Sequence, residues 1–241
     1  VGVGISSPIV QRVFVDANIL YSKTQRDWLY AFYQAGPLFQ LYSTEDVFAE
    51  TIAHIRDNRP ELSGGQITGI RQQIQEITQV ITDYDCVKAG KTFVGADPGD
   101  LHVHAAAVEG RCDYLLSNDR KLYAQLNEDE LDALPYTVFT ADDFFCLAAE
   151  ASAIILDRAL TSQLNYWSGK MMDNSPRQCD LLRQASCPLF AALVERAMMR
   201  KAGVSPLEID RQHPLGPEYS LDMRSGSVQY LQQISDEISE Y

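Results

Sequence analysis

Arg12-Val13-Phe14-Val15-Asp16 is the stretch that decides the fold. Its apolar, partly β-branched run reads as a short buried strand. The strand ends on a carboxylate, and an ionised acid at the end of a buried apolar strand is costly unless something pairs with it. Beyond it, helices and strands alternate. Thr24 to Gln34 carries Trp28, Leu29, Phe32 and Tyr33 at helical spacing, and Gly36-Pro37 stops it. Phe39 to Tyr42 reads as a second strand. Ser43 or Thr44 can then cap a helix through about Arg56, with Val47, Phe48, Ile52 and Ile55 on its apolar face.

The same rhythm continues past the loop at Asn58-Arg59-Pro60 and Gly64-Gly65. Ile67, Ile70, Ile74, Ile77 and Ile81 predict one amphipathic helix, and Cys86-Val87 a third strand. Asp97-Pro98-Gly99 is a turn into a helix from Asp100 to Glu109. Tyr114 to Ser117 is a fourth strand, Asp119 to Leu126 a short helix, and Tyr136 to Thr140 a fifth strand. Strands alternating with helices predict an α/β fold with a central parallel sheet of about five strands and helices on both faces. The alternation stops near residue 145. The expected division is therefore an α/β domain over 1–145 and a helical C-terminal extension over 146–241. The extension reads as two long helices, Asp142 to Gly169 and Arg177 to Ala202, then a loop from Ile209 to Ser220. A last short helix carries Val228, Leu231, Ile234 and Ile238.

Composition bounds the class. The chain has 241 residues and a formal net charge of −13. No apolar run approaches the ~20 residues that a membrane span needs. The opening Val1 to Val10 has no basic stretch or cleavage pattern of a secretory signal. Cys86, Cys112, Cys146, Cys179 and Cys187 are odd in number and contain no Cys-x-x-Cys pair. That spacing argues against zinc and for a reduced, cytoplasmic protein. The acidic excess opposes long-range attraction of a polyanion. Only 146–203 reverses the sign, with 7 basic and 5 acidic residues. There Arg196 and Arg200 fall on one helix and are the candidate contacts for a polyanion.

Four acids stand where such a sheet would bring them to one rim: Asp16, Glu50, Asp100 and Asp119. Ligands of open parallel sheets bind outside the carboxyl ends of the strands. Asp16 ends strand one, Asp119 follows strand four, Asp100 opens the helix before it, and Glu50 reaches the rim if its helix leans over. Gathered carboxylates repel one another and need a counter-charge. Mg²⁺ or Mn²⁺, which prefer oxygen ligands, supply it. Each acid also has an ordinary reading. Asp100 is a helix N-cap, Asp119 a first-turn acid and Glu50 a solvated helix residue. Asp97 offers a fifth acid beside Asp100. His102 and His104 are two apart on a helix, so their side chains diverge. His54 sits one turn after Glu50.

Val-Asp-Ala-Asn at 15–18, the helical Glu50, Asp-Leu-His-Val-His-Ala-Ala-Ala at 100–107 and Tyr-Leu-Leu-Ser-Asn-Asp at 114–119 resemble the PIN-domain family, closest to VapC-type toxins of toxin–antitoxin pairs. The resemblance runs over about residues 10–145. It implies a PIN-like three-layer α/β/α sandwich and a divalent-metal-dependent endoribonuclease. It also implies Asp16, Glu50, Asp100 and Asp119 as the acidic set, with Asn18 and Ser117 as polar neighbours. The partners it implies are RNA as substrate and a cognate antitoxin protein; a homodimer is a further expectation. The rival is a catalytically silent interaction module of the same shape, which the acidic charge favours. A phosphatase with an aspartyl nucleophile would want a second acid at position 18, where Asn18 stands.

Overall fold

The computed structural model describes residues 10–95, 97–119, 126–168 and 177–215. Five parallel strands form one sheet in the order β3-β2-β1-β4-β5. They are β1 (Gln11–Val15), β2 (Phe39–Ser43), β3 (Thr78–Val80), β4 (Tyr114–Leu116) and β5 (Thr137–Phe139). β1 lies at the centre. Val13 pairs in register with Leu41 on one side and Tyr114 on the other. Val13, Phe14 and Val15 are wholly buried, as expected of a strand covered on both faces.

The helices arise from local signals. Asp16 caps the single turn α1 (Ala17–Leu20), and Ser22 caps α2 (Lys23–Ala35). Thr44 caps α3 (Glu45–Asn58), and Ser63 with Gln66 forms a capping box on α4 (Gly64–Ile77). Beyond them come α5 (Cys86–Ala89), a 3₁₀ turn at Pro98–Asp100, α6 (Leu101–Glu109) and α7 (Glu128–Asp132). The last five are α8 (Ala141–Ala151), α9 (Ala153–Ser168), α10 (Gln178–Gln184), α11 (Pro188–Lys201) and α12 (Pro206–Gln212). Across the layers, α2 packs on α9 and α8 on α11.

Four expectations about elements are corrected. The isoleucine helix stops at Ile77, because Thr78 to Val80 pair with Leu41 to Ser43 as β3. Edge pairing, with Thr78 buried, outweighs the helical spacing of Ile81. Cys86-Val87 is accordingly not a strand: Asp85 accepts from the amides of Val87 and Lys88 and starts a helical turn. Each of the two long C-terminal helices is broken. Ser152 ends α8 and accepts from Ile155 N at 3.3 Å, inside α9. Ser186, at φ 59°, and Pro188 at the first position of α11 separate α10 from α11. Finally, Ser205 caps a helix, α12, whose later part, Ile209 to Gln212, takes the start of the expected loop. The short helix expected from Asp119 falls largely in residues 120–125, and the one with Val228 lies beyond 215. Both are outside the described residues.

One apolar core joins the sheet to the C-terminal helices. Phe145 of α8 lies 5.1 Å from Phe190 of α11, and Trp28 of α2 meets Phe190 edge-on at 4.8 Å. Phe32 stacks on Phe145 at 6.0 Å. Aromatic pairs of this kind add roughly 0.5–1.5 kcal/mol to the burial of their area. No helix among the described residues is long and apolar enough to cross a membrane.

Candidate functional site

The strand order reverses between β1 and β4, so the crevice that a parallel sheet offers a ligand opens at their carboxyl ends. Asp16 and Ser117 are the first residues past those ends. Asp16 N donates to Leu116 O at 3.1 Å, and Ser117 N to Phe139 O at 3.0 Å, so the backbone pairing carries both side chains to the rim.

Asp16 is buried, with 7% of its surface exposed. Its Oδ1 accepts from Ala17 N at 2.6 Å. Its Oδ2 accepts from Ser117 Oγ at 2.8 Å and from Asn18 Nδ2 at 2.5 Å. Asn18 Nδ2 also reaches Ser117 Oγ at 2.9 Å, and that hydroxyl accepts from Asp119 N at 3.1 Å. Burial pushes the Asp16 carboxyl up from its ordinary value. The Ser117 and Ala17 bonds pull it back, Glu50 adds to the rise, and His102 opposes it.

Asp100 stands at the N-cap of α6, yet its side chain makes no capping bond. The turn before it is capped by Asp97, whose Oδ1 accepts from Gly99 N at 2.8 Å. The ordinary reading of Asp100 therefore lacks its hydrogen bond. Its carboxyl is pushed up to about 6, first by desolvation and then by the charges of Asp16, Asp97 and Asp119. These acids thus share one electrostatic neighbourhood, with Glu50 joined to it through Asp16. Glu50 is the outermost. Its side chain is 45% exposed, and Oε1 lies 3.4 Å from His54 Nε2. Asp97 and Asp119 are exposed.

His102 and His104 diverge. His104 Nδ1 meets Tyr136 Oη at 2.7 Å and Nε2 meets Thr92 Oγ1 at 3.1 Å, on the far side of α6 from the rim. His102 Nδ1 lies 2.8 Å from Gly99 O. A carbonyl only accepts, so Nδ1 is the donor of that bond. That Nε2 is buried and makes no hydrogen bond among the described residues. Its charge interactions are with Asp16 and Asp100. Helical spacing alone ruled out a His102–His104 pair but did not point to His102 by itself.

Sequence reasoning also missed Asn118. Its amide N donates to Asn18 Oδ1 at 2.9 Å, its Nδ2 to Gln25 Oε1 at 3.1 Å, and its Oδ1 accepts from Ala141 N at 3.0 Å. Gln25, 2% exposed, continues to Ala185 O at 2.7 Å. A chain of hydrogen bonds therefore runs from the rim to the start of α8 and to the junction of α10 and α11. Arg196 lies away from this region. Its Nη1 donates to His213 O and its Nη2 pairs with Asp210 of α12, while Arg200 is exposed.

The donor types fit a hard divalent cation: several carboxylates in mutual repulsion, an orphaned buried nitrogen, and a rigidly held Asp16. Their spacing is open. Among the described residues, no three His, Cys, Asp or Glu side chains converge closely enough to hold an ion between them. No protein-family model matches the chain, and neither a curated protein nor a solved structure matches it.

Proposed function

We propose that this chain is a divalent-metal-dependent endoribonuclease of the PIN-like toxin class. The observation that carries the reading is the set of acids about the β1–β4 switch point, where Asp16 ends β1 and burial, then the charges of Asp16, Asp97 and Asp119, lift Asp100 to about 6. In this reading Asp16, Asp100 and Asp119 hold Mg²⁺ or Mn²⁺, with Glu50 or Asp97 completing the set and His102 Nε2 as a nitrogen donor. When bound, the ion lowers the pKa of a coordinated water and offsets charge on the phosphate.

The chain's own residues do the rest. Ser117, Asn18 and the Ala17 amide hold the Asp16 carboxylate in one orientation. Its Oδ1 accepts from the Ala17 amide and retains acceptor capacity toward the crevice. Asn18 is itself fixed by Asn118 N, so the floor is set before any ligand arrives. Such preorganisation is where much of the catalytic gain of a metal site resides. Asp119 and Glu50 sit on the exposed side, where they can turn toward substrate or ion.

The cellular setting that goes with this reading is a cognate inhibitory protein that lays a basic segment over the acidic rim, where charge-assisted bonds to carboxylates are strong. The rival is a silent interaction module, favoured by the open spacing of the acids and the net charge of −13. Cleavage of single-stranded RNA with Mg²⁺ or Mn²⁺ decides between them. The expected result is metal-dependent cleavage that Asp16→Asn and Asp100→Asn each reduce by at least about 100-fold, in line with the loss of a metal-positioning group. A wild-type protein inert with both metals, or fully active in excess EDTA, overturns the reading.

A further inference from the structure

Behind the acidic rim lies a second feature, a cavity of about 700 Å³ walled by α2, α3, α4 and α9. Arg26 of α2 lines it. This guanidinium is only 4% exposed, and no ion pair to a carboxylate is present for it among the described residues. Its Nη1 donates to the carbonyls of Leu20 and Tyr21, while Nε is buried without a partner. Asp27 beside it is engaged by Lys23. A buried cation with unspent donors is unfavourable unless an anion compensates it. Burial pulls the Arg26 pKa down from its ordinary value, and the charge of Asp27 beside it opposes the fall only in part.

The rest of the wall suits a nucleic acid. Around the cavity stand Lys23, Arg26 and Arg59 with the acids Asp27 and Glu76; Lys23 pairs with Asp27 and Arg59 with Glu61, which leaves the buried Arg26 as the cation with no ion pair among the described residues. Tyr21 and Tyr166, 40% and 45% exposed, stand on its lining, and the Lys23 ammonium lies 5.5 Å from the Tyr166 ring. Exposed rings beside cations are the usual platform for unstacked bases and their phosphates. The cavity also adjoins the rim. Tyr21 contacts the His54 ring at 5.4 Å, and His54 reaches Glu50 at 3.4 Å. Glu50 in turn acts on Asp16.

We infer that this cleft seats the single-stranded RNA next to the scissile phosphate, with Arg26, Lys23 and Arg59 taking backbone phosphate and Tyr21 and Tyr166 stacking bases. The inference rests on the ribonuclease reading for its choice of ligand. In this arrangement the strand is gripped by the Arg26 cation and the two rings, with Lys23 and Arg59 exchanging their carboxylate partners for phosphate and the rim acids left to the metal. Arg196, tied to Asp210 and His213, is spent on holding α12.

The test measures binding without cleavage. A fluorescein-labelled single-stranded RNA oligonucleotide is titrated with the full chain in EDTA, and anisotropy is read at several salt concentrations. Tyr21→Ala with Tyr166→Ala should weaken binding by about tenfold or more, as the loss of two stacking platforms implies. Lys23→Ala with Arg59→Ala should flatten the salt dependence by about one unit of slope for each phosphate the variant no longer grips. Arg26→Met, of similar length and uncharged, should weaken binding with the far-ultraviolet circular dichroism retained. The four exposed positions keep the test valid if Arg26→Met fails to fold. Unchanged affinity and slope in the exposed variants overturn the inference. So does a cleft that binds polyglutamate through these residues and ignores RNA. RNA bound through the cleft but never cleaved supports the inference while removing the ribonuclease reading, so the two fail separately.

Discussion

Ser117 Oγ donates to Asp16 Oδ2 across 2.8 Å, joining the end of β4 to the end of β1 over 101 positions of sequence. The bond is buried, and it is the largest influence opposing the rise that burial imposes on the Asp16 carboxyl. Ser117→Ala removes the donor and leaves a buried carboxylate short of one partner. A hydrogen bond to a charged group contributes about 1.5–3 kcal/mol. The variant should lose stability of that order above the carboxylate range, and less in acid where Asp16 takes a proton. Urea denaturation at about pH 7.5 and pH 4 reads the difference. Equal losses at both would mean that the bond does not favour the ionised form.

Asp100 gives a pH dependence of definite sign. Its folded value of about 6 lies above the ordinary 3.8, so the folded state holds its proton more tightly than the unfolded state does. Its contribution to stability is fully present below 3.8 and is lost as pH rises through about 6. In the metal-free protein, Asp100→Asn should raise the melting temperature at about pH 7.5 and leave it nearly unchanged at about pH 4. Saturating Mn²⁺ should reverse the order, stabilising the wild type more than the variant by ligand linkage. A variant no more stable than wild type at the higher pH in EDTA would show that its neighbours do not crowd it.

The parts legible in the sequence were those written in local chemistry. Val13 to Val15 announced a central strand, Thr44 a cap, and the Pro98-Gly99 turn the start of α6. Asp16 and Asp100 were singled out because one follows the end of β1 and the other opens α6, whereas Glu50 lies inside α3 and has no such signal. The features that stayed hidden depended on distant partners. Thr78 to Val80 became β3 because Leu41 to Ser43 offered an open edge, and no spacing rule at Ile74 and Ile77 foretells that. Asn118 follows β4 and has no signal of its own in the sequence. Its role appears only when the fold brings Asn18, Gln25 and Ala141 around it. Arg26 carries no sequence signal of its burial, which comes from the packing around α2.

His104 should produce an acid-sensitive transition independent of the rim. It is buried between Tyr136 and Thr92, and desolvation lowers its pKa from 6.5. The unfolded chain takes up a proton near that value while the folded one resists. Stability is therefore full above 6.5, falls as pH drops through it, and levels off below the lowered folded value. This slope is opposite to that of Asp100, so it is best read in the Asp100→Asn background. His104→Gln, which keeps hydrogen-bonding capacity without the titration, should flatten thermal stability between about pH 7 and pH 5. A slope that survives the substitution assigns the effect to another group.

Asp142 of α8 ties the last helices to the sheet. Its carboxylate, 8% exposed, accepts from Phe190 N at 2.8 Å and Leu189 N at 3.1 Å, the first free amides of α11 after Pro188. It caps that helix from a different element and lies with the positive end of the α11 dipole, which favours an anion. The capped residue, Phe190, is the ring on which Trp28, Phe32 and Phe145 converge. Asp142→Ala strands two amides at a buried helix start. Caps are worth about 0.5–2 kcal/mol, and an unsatisfied buried donor costs about 1–3 kcal/mol. A loss of about 2–3 kcal/mol is expected, with Asp142→Asn losing roughly half, since its amide oxygen can still accept one bond. Hydrogen exchange locates the effect: protection should fall in α11 and at Ala185, where Gln25 hands the rim's hydrogen-bond chain to the extension. If α11 opens in the variant while Asn118 and Ser117 stay protected, the extension is a support that the rim can do without. If protection falls at all three together, the extension and the acid floor form one cooperative unit.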